Sequence, residues 1–330
     1  MKYRTLLSLA LIGAIAAGSV GCSKDENLET KLNQTPVVKT INGKDYRFDG
    51  NKVKEDDCKA PTEVSYGVIS DAHGEVEKAR YFAQEFKRRG VSGIMIPGDI
   101  PLNEQLRYGQ RDSRDDKTEI KEVLEAVAET GLPIFVIPGN HERKQDYSSA
   151  ISELSQKFQN VIDMTSYRVF DGCDADFVSL PGYQTFKAPG RQFIPNDGYW
   201  AKPENVNQLK DLRQGLDNAV VLITHGAGKT GVPGPATLYN GEDVGDELTR
   251  QVQREANIPF GVVGHIHEAG GIAATFDGTL VKPNEWAKQF TANFGSLERW
   301  KNLNGETYKG MAGILTIKGD QAKYETLVLK

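Results

Sequence analysis

Residues 64–75 read VSYGVISDAHGE, an apolar run of strand type that ends in the polar residues Asp71 and His73. Comparable apolar runs follow along the chain, and helical stretches at 75–89 and 117–129 separate the first three of them. These later runs are GIMIP (93–97), PIFVIP (133–138), AVVLIT (219–224) and FGVV (260–263). The alternation of strand and helix predicts βαβ units and a sheet that is buried on both faces.

Each apolar run is followed at once by residues of metal-ligand type. The carboxyl ends of strands form the ligand-binding edge of an open α/β sheet, so these residues are expected to meet. All 5 histidines of the chain lie in these segments. Single motifs of this kind are common as turn and cap residues, but packing alone does not explain the whole ordered set. The set is Asp71, His73, Asp99, Asn140, His141, His225, His265 and His267.

The spacing of these residues suits two neighbouring ions. Residues i and i+2 at a strand end share a face, so Asp71 and His73 can bind one ion. By the same spacing, His265 and His267 can reach two ions, and Asp99 is the natural bridge between them. Two divalent ions roughly 3.5 to 4 Å apart can hold the attacking and leaving oxygens of a displacement at phosphorus. Imidazole, carboxylate and amide ligands without thiolate favour Mn, Fe, Zn or Ni.

The ordered motifs resemble those of the calcineurin-like metallophosphoesterases. They are DAH (71–73), GD (98–99), GNH (139–141), the lone His225 after a strand, and GHIH (264–267). The segments LITHG (222–226), GHIHE (264–268) and NFGS (293–296) look closest to small bacterial and archaeal phosphodiesterase-like members. The resemblance implies an α/β fold, a four-layer αββα sandwich of two mixed β-sheets flanked by helices. It also implies metal-dependent hydrolysis of phosphate esters, with phosphodiesters favoured.

The same resemblance implies a role for each site residue. Asp99 is the ligand that both ions share, and His141 contacts the phosphate and helps the leaving group to depart. Asp71, His73 and His267 complete the first ion's ligands, while Asn140, His225 and His265 complete those of the second. The relatives often carry prolines after the lone histidine, where this chain has GAG at 226–228.

Other functions are open at this point. Phosphomonoesters or nucleotides are the second choice of substrate. A non-catalytic binding scaffold of the same fold is disfavoured because every ligand position is present. A nuclease needs a basic groove for the nucleic-acid backbone.

The composition, with 38% hydrophobic and 26% charged residues among 330, is that of an ordinary soluble globular protein. The formal net charge is only -5, with acids and bases interspersed, so no global basic field attracts nucleic acid. We therefore expect a small-molecule phosphate ester as the partner, recognised locally.

The N-terminus has the features of an export signal. Lys2 and Arg4 precede an apolar run at 6–17, and small residues lead into Gly21 and Cys22. The segment resembles a bacterial lipoprotein signal, in which Cys22 is lipid-modified after the preceding peptide is removed. About a dozen apolar residues are too few for a membrane-spanning helix, which needs roughly 20. The sequence thus predicts an exported protein, anchored by lipid to a bacterial membrane of the cell envelope.

The chain divides into four predicted parts. They are a signal peptide at 1–21, a flexible tether at 22–36, an N-terminal extension with a possible hairpin at 37–62, and the phosphoesterase domain at 63–330. Within the domain, residues 206–216 predict one helix. Short strands in the last part, from about residue 271, predict a β-meander.

Two loops contain residues that could contact substrate. Arg107, Arg111 and Arg114 lie in the charged segment 101–116, and Arg143 and Lys144 follow GNHE at 139–142. Arginine can hold phosphate bidentately, although a charged stretch such as 101–116 is more often a solvated loop, and Arg143 and Lys144 can equally face solvent. Aromatic residues near 182–200 could stack on a base or an aryl group, or could simply pack beneath a long loop: Tyr183, Phe186, Phe193, Tyr199 and Trp200.

Cys58 and Cys173 are the cysteines that remain if Cys22 is lipidated. An exported compartment is oxidising, so we expect them to form a disulfide. Two unpaired thiols are the alternative, because pairing does not follow from sequence alone.

Overall fold

The computed structural model describes residues 35–56, 58, 63–102, 114–184, 197–231 and 233–329. The predicted signal peptide, the lipidation residue Cys22 and almost all of the tether lie outside these residues. Within them, no helix has the length and apolar character to cross a membrane. Residues 35–330 form one compact unit.

The described residues form helices and strands in alternation. The α-helices are α1 (Val76–Arg88), α2 (Asp116–Ala128), α3 (Lys144–Lys157), α4 (Pro203–Asn207), α5 (Leu209–Leu212) and α6 (Glu247–Glu255). The strands are β1 (Val37–Ile41), β2 (Lys44–Asp49), β3 (Lys52–Glu55), β4 (Val64–Val68), β5 (Gly93–Ile96), β6 (Ile134–Val136), β7 (Val161–Asp163), β8 (Val169–Asp171), β9 (Asp176–Leu180), β10 (Tyr183–Gln184), β11 (Trp200–Ala201), β12 (Val220–Thr224), β13 (Phe260–Val263), β14 (Ala273–Ala274), β15 (Leu280–Val281), β16 (Phe290–Asn293), β17 (Trp300–Lys301), β18 (Thr307–Tyr308), β19 (Gly310–Lys318) and β20 (Gln321–Leu329).

Two large mixed sheets contain most of these strands. The smaller has 6 strands in the order β20-β19-β4-β5-β6-β7, and β4 to β7 run parallel. The larger has 10 strands in the order β1-β2-β3-β8-β9-β12-β13-β16-β14-β15, with β9, β12, β13 and β16 parallel. Each parallel set matches the βαβ pattern of the sequence, because nearly every residue of its strands is buried.

Three apolar clusters show how the layers stack. The central cluster joins the sheets, as where Tyr66 of β4 meets Phe177 of β9 edge-on, with ring centroids 4.8 Å apart. A second cluster packs α1, α2 and α3 on the outer face of the six-stranded sheet. A third packs α4, α5 and α6 on the outer face of the ten-stranded sheet. The structure therefore confirms the α/β fold of two mixed sheets flanked by helices.

Two predicted elements differ in the structure. The β-meander is wrong, because β14 to β16 belong to the ten-stranded sheet while β19 and β20 pair in the six-stranded sheet. An alternating strand pattern does not encode which sheet a strand joins. The single helix at 206–216 is replaced by the two short helices α4 and α5. The N-terminal segment forms three strands that extend the ten-stranded sheet from β8.

A disulfide joins Cys58, which follows β3, to Cys173, in the turn between β8 and β9, with the two Cα atoms 5.0 Å apart. The strands on either side of the bond are neighbours, because β3 pairs with β8. The bond thus fastens the N-terminal strands to the body of the sheet.

Candidate metal centre

The carboxyl ends of parallel strands in both sheets bring the predicted ligands together. Asp71 and Asp99 follow β4 and β5, Asn140 follows β6, and His225 and His265 follow β12 and β13. Backbone bonds tie the turns to one another: Asp71 N–H donates to the Gly98 carbonyl at 3.1 Å, and Gly264 N–H donates to the His225 carbonyl at 3.1 Å. The site lies where the ends of the two sheets meet.

One group of ligand atoms comprises those of Asp71, His73 and His267, all within 4.8 Å of one another. His267 Nε2 lies 3.1 Å from Asp71 Oδ1 and 3.2 Å from His73 Nε2. Two nitrogen ligands of one ion have a separation of roughly 3 Å when each lies about 2.1 Å from it. These three side chains can therefore hold one ion.

A second group comprises Asp99, His225 and His265, whose ligand atoms also lie within 4.8 Å of one another. His225 Nε2 is 3.1 Å from Asp99 Oδ2 and 3.2 Å from His265 Nδ1. A third group, made of His73, Asp99 and His141, lies between the first two. Asp99 thus belongs to both the second and the third group, which suits a carboxylate that two ions could share.

Asn140 provides an independent test of whether a metal fits this site. Its side chain is buried, and its Oδ1 atom has no hydrogen-bond partner among the described residues. A buried polar atom without a partner is costly, and an absent ion is one of its regular explanations. The same turn holds Asp99, because the N–H groups of Asn140 and His141 donate to Asp99 Oδ1 at 2.8 and 2.9 Å. The amide oxygen fits a metal ligand.

Backbone carbonyls orient two of the imidazoles. His73 Nδ1 donates to the Pro101 carbonyl at 3.3 Å, and His225 Nδ1 donates to the Pro97 carbonyl at 2.9 Å. A carbonyl can only accept, so the proton on each of these rings is fixed at Nδ1. The Nε2 atoms then face the site, which is the usual arrangement of a metal-binding histidine.

Backbone strain is concentrated at the same residues. Among the described non-glycine residues, 7 have positive φ, and Asp71 (49°), His73 (46°), Asp99 (53°) and His265 (65°) are in that set. A left-handed conformation costs such residues about 1 kcal/mol or more and persists where the surroundings impose it. Close approach requires glycine nearby: a Cβ at Gly264 would lie 1.9 Å from Asp71 Oδ2, and one at Gly139 would lie 2.2 Å from Asp99 Oδ1.

Burial and charge set the ionisation of the site. Burial lowers the pKa of His73 and of His265 to about 3, which keeps both imidazoles neutral and able to bind a metal. For His225, burial is outweighed by Asp99 and Asp71, and its pKa rises to about 9. Burial also opposes the charge on Asp99, but His141 and His225 hold the pKa of that carboxyl well below its usual range. The carboxylates stay ionised and require positive charge beside them.

Sequence analysis gave no role to three further residues. Buried Glu142 accepts from the N–H groups of Ile100 and Gly139, both at 2.8 Å, and so ties the turns of Asp99 and Asn140 together. The position of Glu142 directly after GNH (139–141) was the sequence signal that could have identified it as part of the site. Asn293 is the last residue of β16, and Glu298 lies in the segment after this strand. No local pattern in the sequence indicates what either residue contacts.

Some residues predicted to contact substrate lie outside the described part of the chain, and others contact protein groups. Arg107, Arg111, Phe186 and Phe193 lie outside the described residues, as do most of the loops 101–116 and 182–200. Arg114 pairs with Glu122 at 3.0 Å and with Glu119 at 3.4 Å. Arg143 precedes α3, and its backbone forms an isolated antiparallel β-bridge with Gly198. The Lys144 ammonium lies over the Tyr199 ring. Tyr183 alone of the aromatic set packs on a ligand among the described residues, with its ring 4.0 Å from that of His265.

Comparisons with known proteins agree with this geometry. The sequence profile of the family described as Calcineurin-like phosphoesterase matches residues 64–269. A search of curated proteins found no match. Among solved structures, one aligns with a TM-score of 0.58 at 14% identity, covering 82% of this chain and 100% of its own.

Two other solved structures align over similar lengths. The protein TT1561 of Thermus thermophilus gives a TM-score of 0.52 at 10% identity, with 82% of this chain and 100% of that chain covered. A dimetal phosphatase from Danio rerio gives 0.49 at 12% identity, with 81% and 99% covered. At these identities the likeness shows the fold alone.

Proposed function

The chain belongs to the calcineurin-like phosphoesterase family and is a phosphoric ester hydrolase, and we propose that it cleaves phosphodiesters with two transition-metal ions. The observation that carries the proposal is the convergence of two groups of ligand atoms, which a third group containing His73 and Asp99 connects. The orphaned Oδ1 of Asn140 supports a ligand at the second group. The sequence resemblance to phosphodiesterase-like members supports the diester as the substrate class.

Each side chain has a distinct task in this proposal. Bound metal ions supply the Lewis acidity that activates water and stabilises negative charge at phosphorus. Asp99 would be shared by the two ions, Asp71, His73 and His267 would hold one of them, and Asn140, His225 and His265 would hold the other. The remaining histidine, His141, has a side chain 16% exposed, so its ring can reach a bound ester and donate a proton to the leaving oxygen.

A metal-reconstitution assay tests this function. The protein starting at Ser23 is stripped with a chelator, supplied separately with Mn, Fe, Zn or Ni, and assayed with bis(p-nitrophenyl) phosphate and p-nitrophenyl phosphate. We expect activity to return with at least one metal, about two bound ions per chain, and a higher kcat/KM for the diester. A higher kcat/KM for the monoester would instead indicate a phosphomonoesterase or nucleotidase, and inactivity with every metal would contradict catalysis.

We also propose that the mature protein is exported and lipid-anchored through Cys22, on the basis of the N-terminal sequence features. In a bacterial host, Cys22→Ser should remove the lipid mass from the protein and shift it out of the membrane fraction. An unmodified Cys22 in the wild-type protein would contradict this proposal.

A further inference from the structure

Glu298 lies at the edge of the metal centre, in a segment beyond the family match at 64–269. Three hydrogen bonds fix the backbone beside it. Ser296 Oγ donates to the Asp71 carbonyl at 2.8 Å, and Leu297 N–H donates to the same carbonyl at 3.1 Å. The N–H of Glu298 then donates to Ser296 Oγ at 3.0 Å. The position of Glu298 is therefore coupled to that of a metal ligand.

The side chain of Glu298 points to the site without joining the ligand groups. Its Oε2 atom lies 3.9 Å from His73 Nε2, and the side chain is 35% exposed. Glu298 is not a member of any of the three groups of ligand atoms found among the described residues. The carboxylate thus lies beside His73 and is partly exposed to solvent.

No lysine or arginine among the described residues pairs with Glu298; its one ion-pair contact is with His73. Nearby Glu75 differs, because Lys78 Nζ lies 2.9 Å from its carboxylate. The groups that act on Glu298 are His267 and His141, which favour its charge, and Asp71 and Glu75, which oppose it. A carboxylate without a lysine or arginine partner beside Asp71 and Glu75 is unfavourable for folding, which is typical of a group kept for function.

We propose that Glu298 is a specificity-determining residue that disfavours dianionic phosphomonoesters relative to monoanionic phosphodiesters. A phosphomonoester has a second pKa near 6 and carries about two negative charges at pH 8, whereas a diester carries one. Repulsion by a fixed carboxylate acts on every unit of substrate charge, so the dianion is penalised more. Selectivity through an unfavourable contact with the wrong ligand is a general device of binding sites. The inference rests on the proposed function and deepens it.

The test compares two esters of one leaving group in variants of the whole mature protein. At pH 8, kcat/KM is measured for bis(p-nitrophenyl) phosphate and for p-nitrophenyl phosphate in wild type, Glu298→Gln and Glu298→Asp. Glu298→Gln should raise the monoester value relative to the diester value by about tenfold, and should tighten inhibition by inorganic phosphate. Glu298→Asp, which keeps the charge, should retain most of the wild-type ratio.

Glu75→Gln is the matched control, since it removes one negative charge nearby that already has a lysine partner. It should leave the ratio within about twofold of wild type. An unchanged ratio in Glu298→Gln overturns the proposal, as does an equal loss of both activities with reduced metal content, which would make Glu298 a ligand. The wild-type ratio tests the proposed diester function by itself, so failure of that function and failure of the role of Glu298 are distinguishable.

Discussion

Among single residues, Asp99 is the one whose two carboxylate oxygens contact different parts of the site. Oδ1 accepts the N–H groups of Asn140 and His141, while Oδ2 faces His225 at 3.1 Å. We predict that Asp99→Ala abolishes activity and most metal binding, since in the proposed centre it would remove the ligand common to both ions. Elemental analysis of the purified variant measures this, and a variant that still holds two ions per chain would contradict the bridging role.

His141 should behave differently, although it stands in the next turn. Its Nε2 atom lies 3.5 Å from Asp99 Oδ2, farther than that of His225. We predict that His141→Ala keeps most of the metal while turnover falls by roughly 10² to 10⁴, the usual effect of losing a general acid. Turnover and metal content are measured on the same sample. Loss of both ions would instead make His141 a ligand, consistent with its presence in the central group of ligand atoms.

At the level of elements, the sequence predicted what depends on local pattern. Apolar runs identified β4, β5, β6, β12 and β13, and the rule that strands end at a common edge predicted that their following residues meet. The β-meander was wrong because β16 and β19 join different sheets, and the local sequence of a strand does not say which sheet it joins. Glu298 was missed for a related reason: its place beside His73 depends on a contact between distant parts of the chain, which no local pattern encodes.

Asn293 illustrates how one side chain can hold several elements. It is fully buried, and its Nδ2 donates to the carbonyls of Pro235, Gly264 and Ile266 at 2.8, 3.2 and 2.9 Å. Its Oδ1 accepts the N–H of Gly295 at 2.8 Å. The amide therefore links the end of β16 to the loop after His225 and to the loop that carries His265 and His267.

We predict that Asn293→Asp lowers the free energy of unfolding by about 3 kcal/mol or more, because a carboxylate there faces three carbonyl oxygens without donors. Thermal unfolding measures the loss, and metal content should fall with it as the histidine loop loosens. Asn302→Asp is the matched control, since its Nδ2 makes a single longer contact, 3.3 Å to Tyr308 Oη. Equal melting temperatures for Asn293→Asp and wild type would contradict the role of this amide.

For the molecule as a whole, the balanced surface charge and the buried site have a joint consequence. With a net charge of only -5, electrostatic guidance of a phosphate ester must come from the metal centre and its immediate neighbours. The ligands Asp71 and His225 are fully buried, so that local field is weakly screened by salt. Substrate selection is therefore expected to depend on single charges at the rim, such as that of Glu298, more than on overall charge.

The disulfide also affects the stability of the whole molecule, because Cys58 and Cys173 are 115 residues apart in sequence. Closing so long a loop restricts the unfolded chain, and the chain-entropy argument gives about 4 to 5 kcal/mol of stabilisation as an upper limit. We predict that the double variant Cys58→Ser/Cys173→Ser loses up to this free energy of unfolding. Its metal content should stay normal, since the bond joins β3 to the turn after β8, whereas the ligands follow other strands.

Denaturant unfolding of the protein starting at Ser23 measures the difference between wild type and the double variant. Wild type with reductant is the control, and its unfolding curve should coincide with that of the double variant because neither has the cross-link. Intact mass before and after reduction checks the bond itself, because the protein should gain two hydrogens when the disulfide is reduced. If both thiols of the native wild-type protein can be alkylated without reductant, the bond is absent in solution and the predicted stabilisation disappears with it.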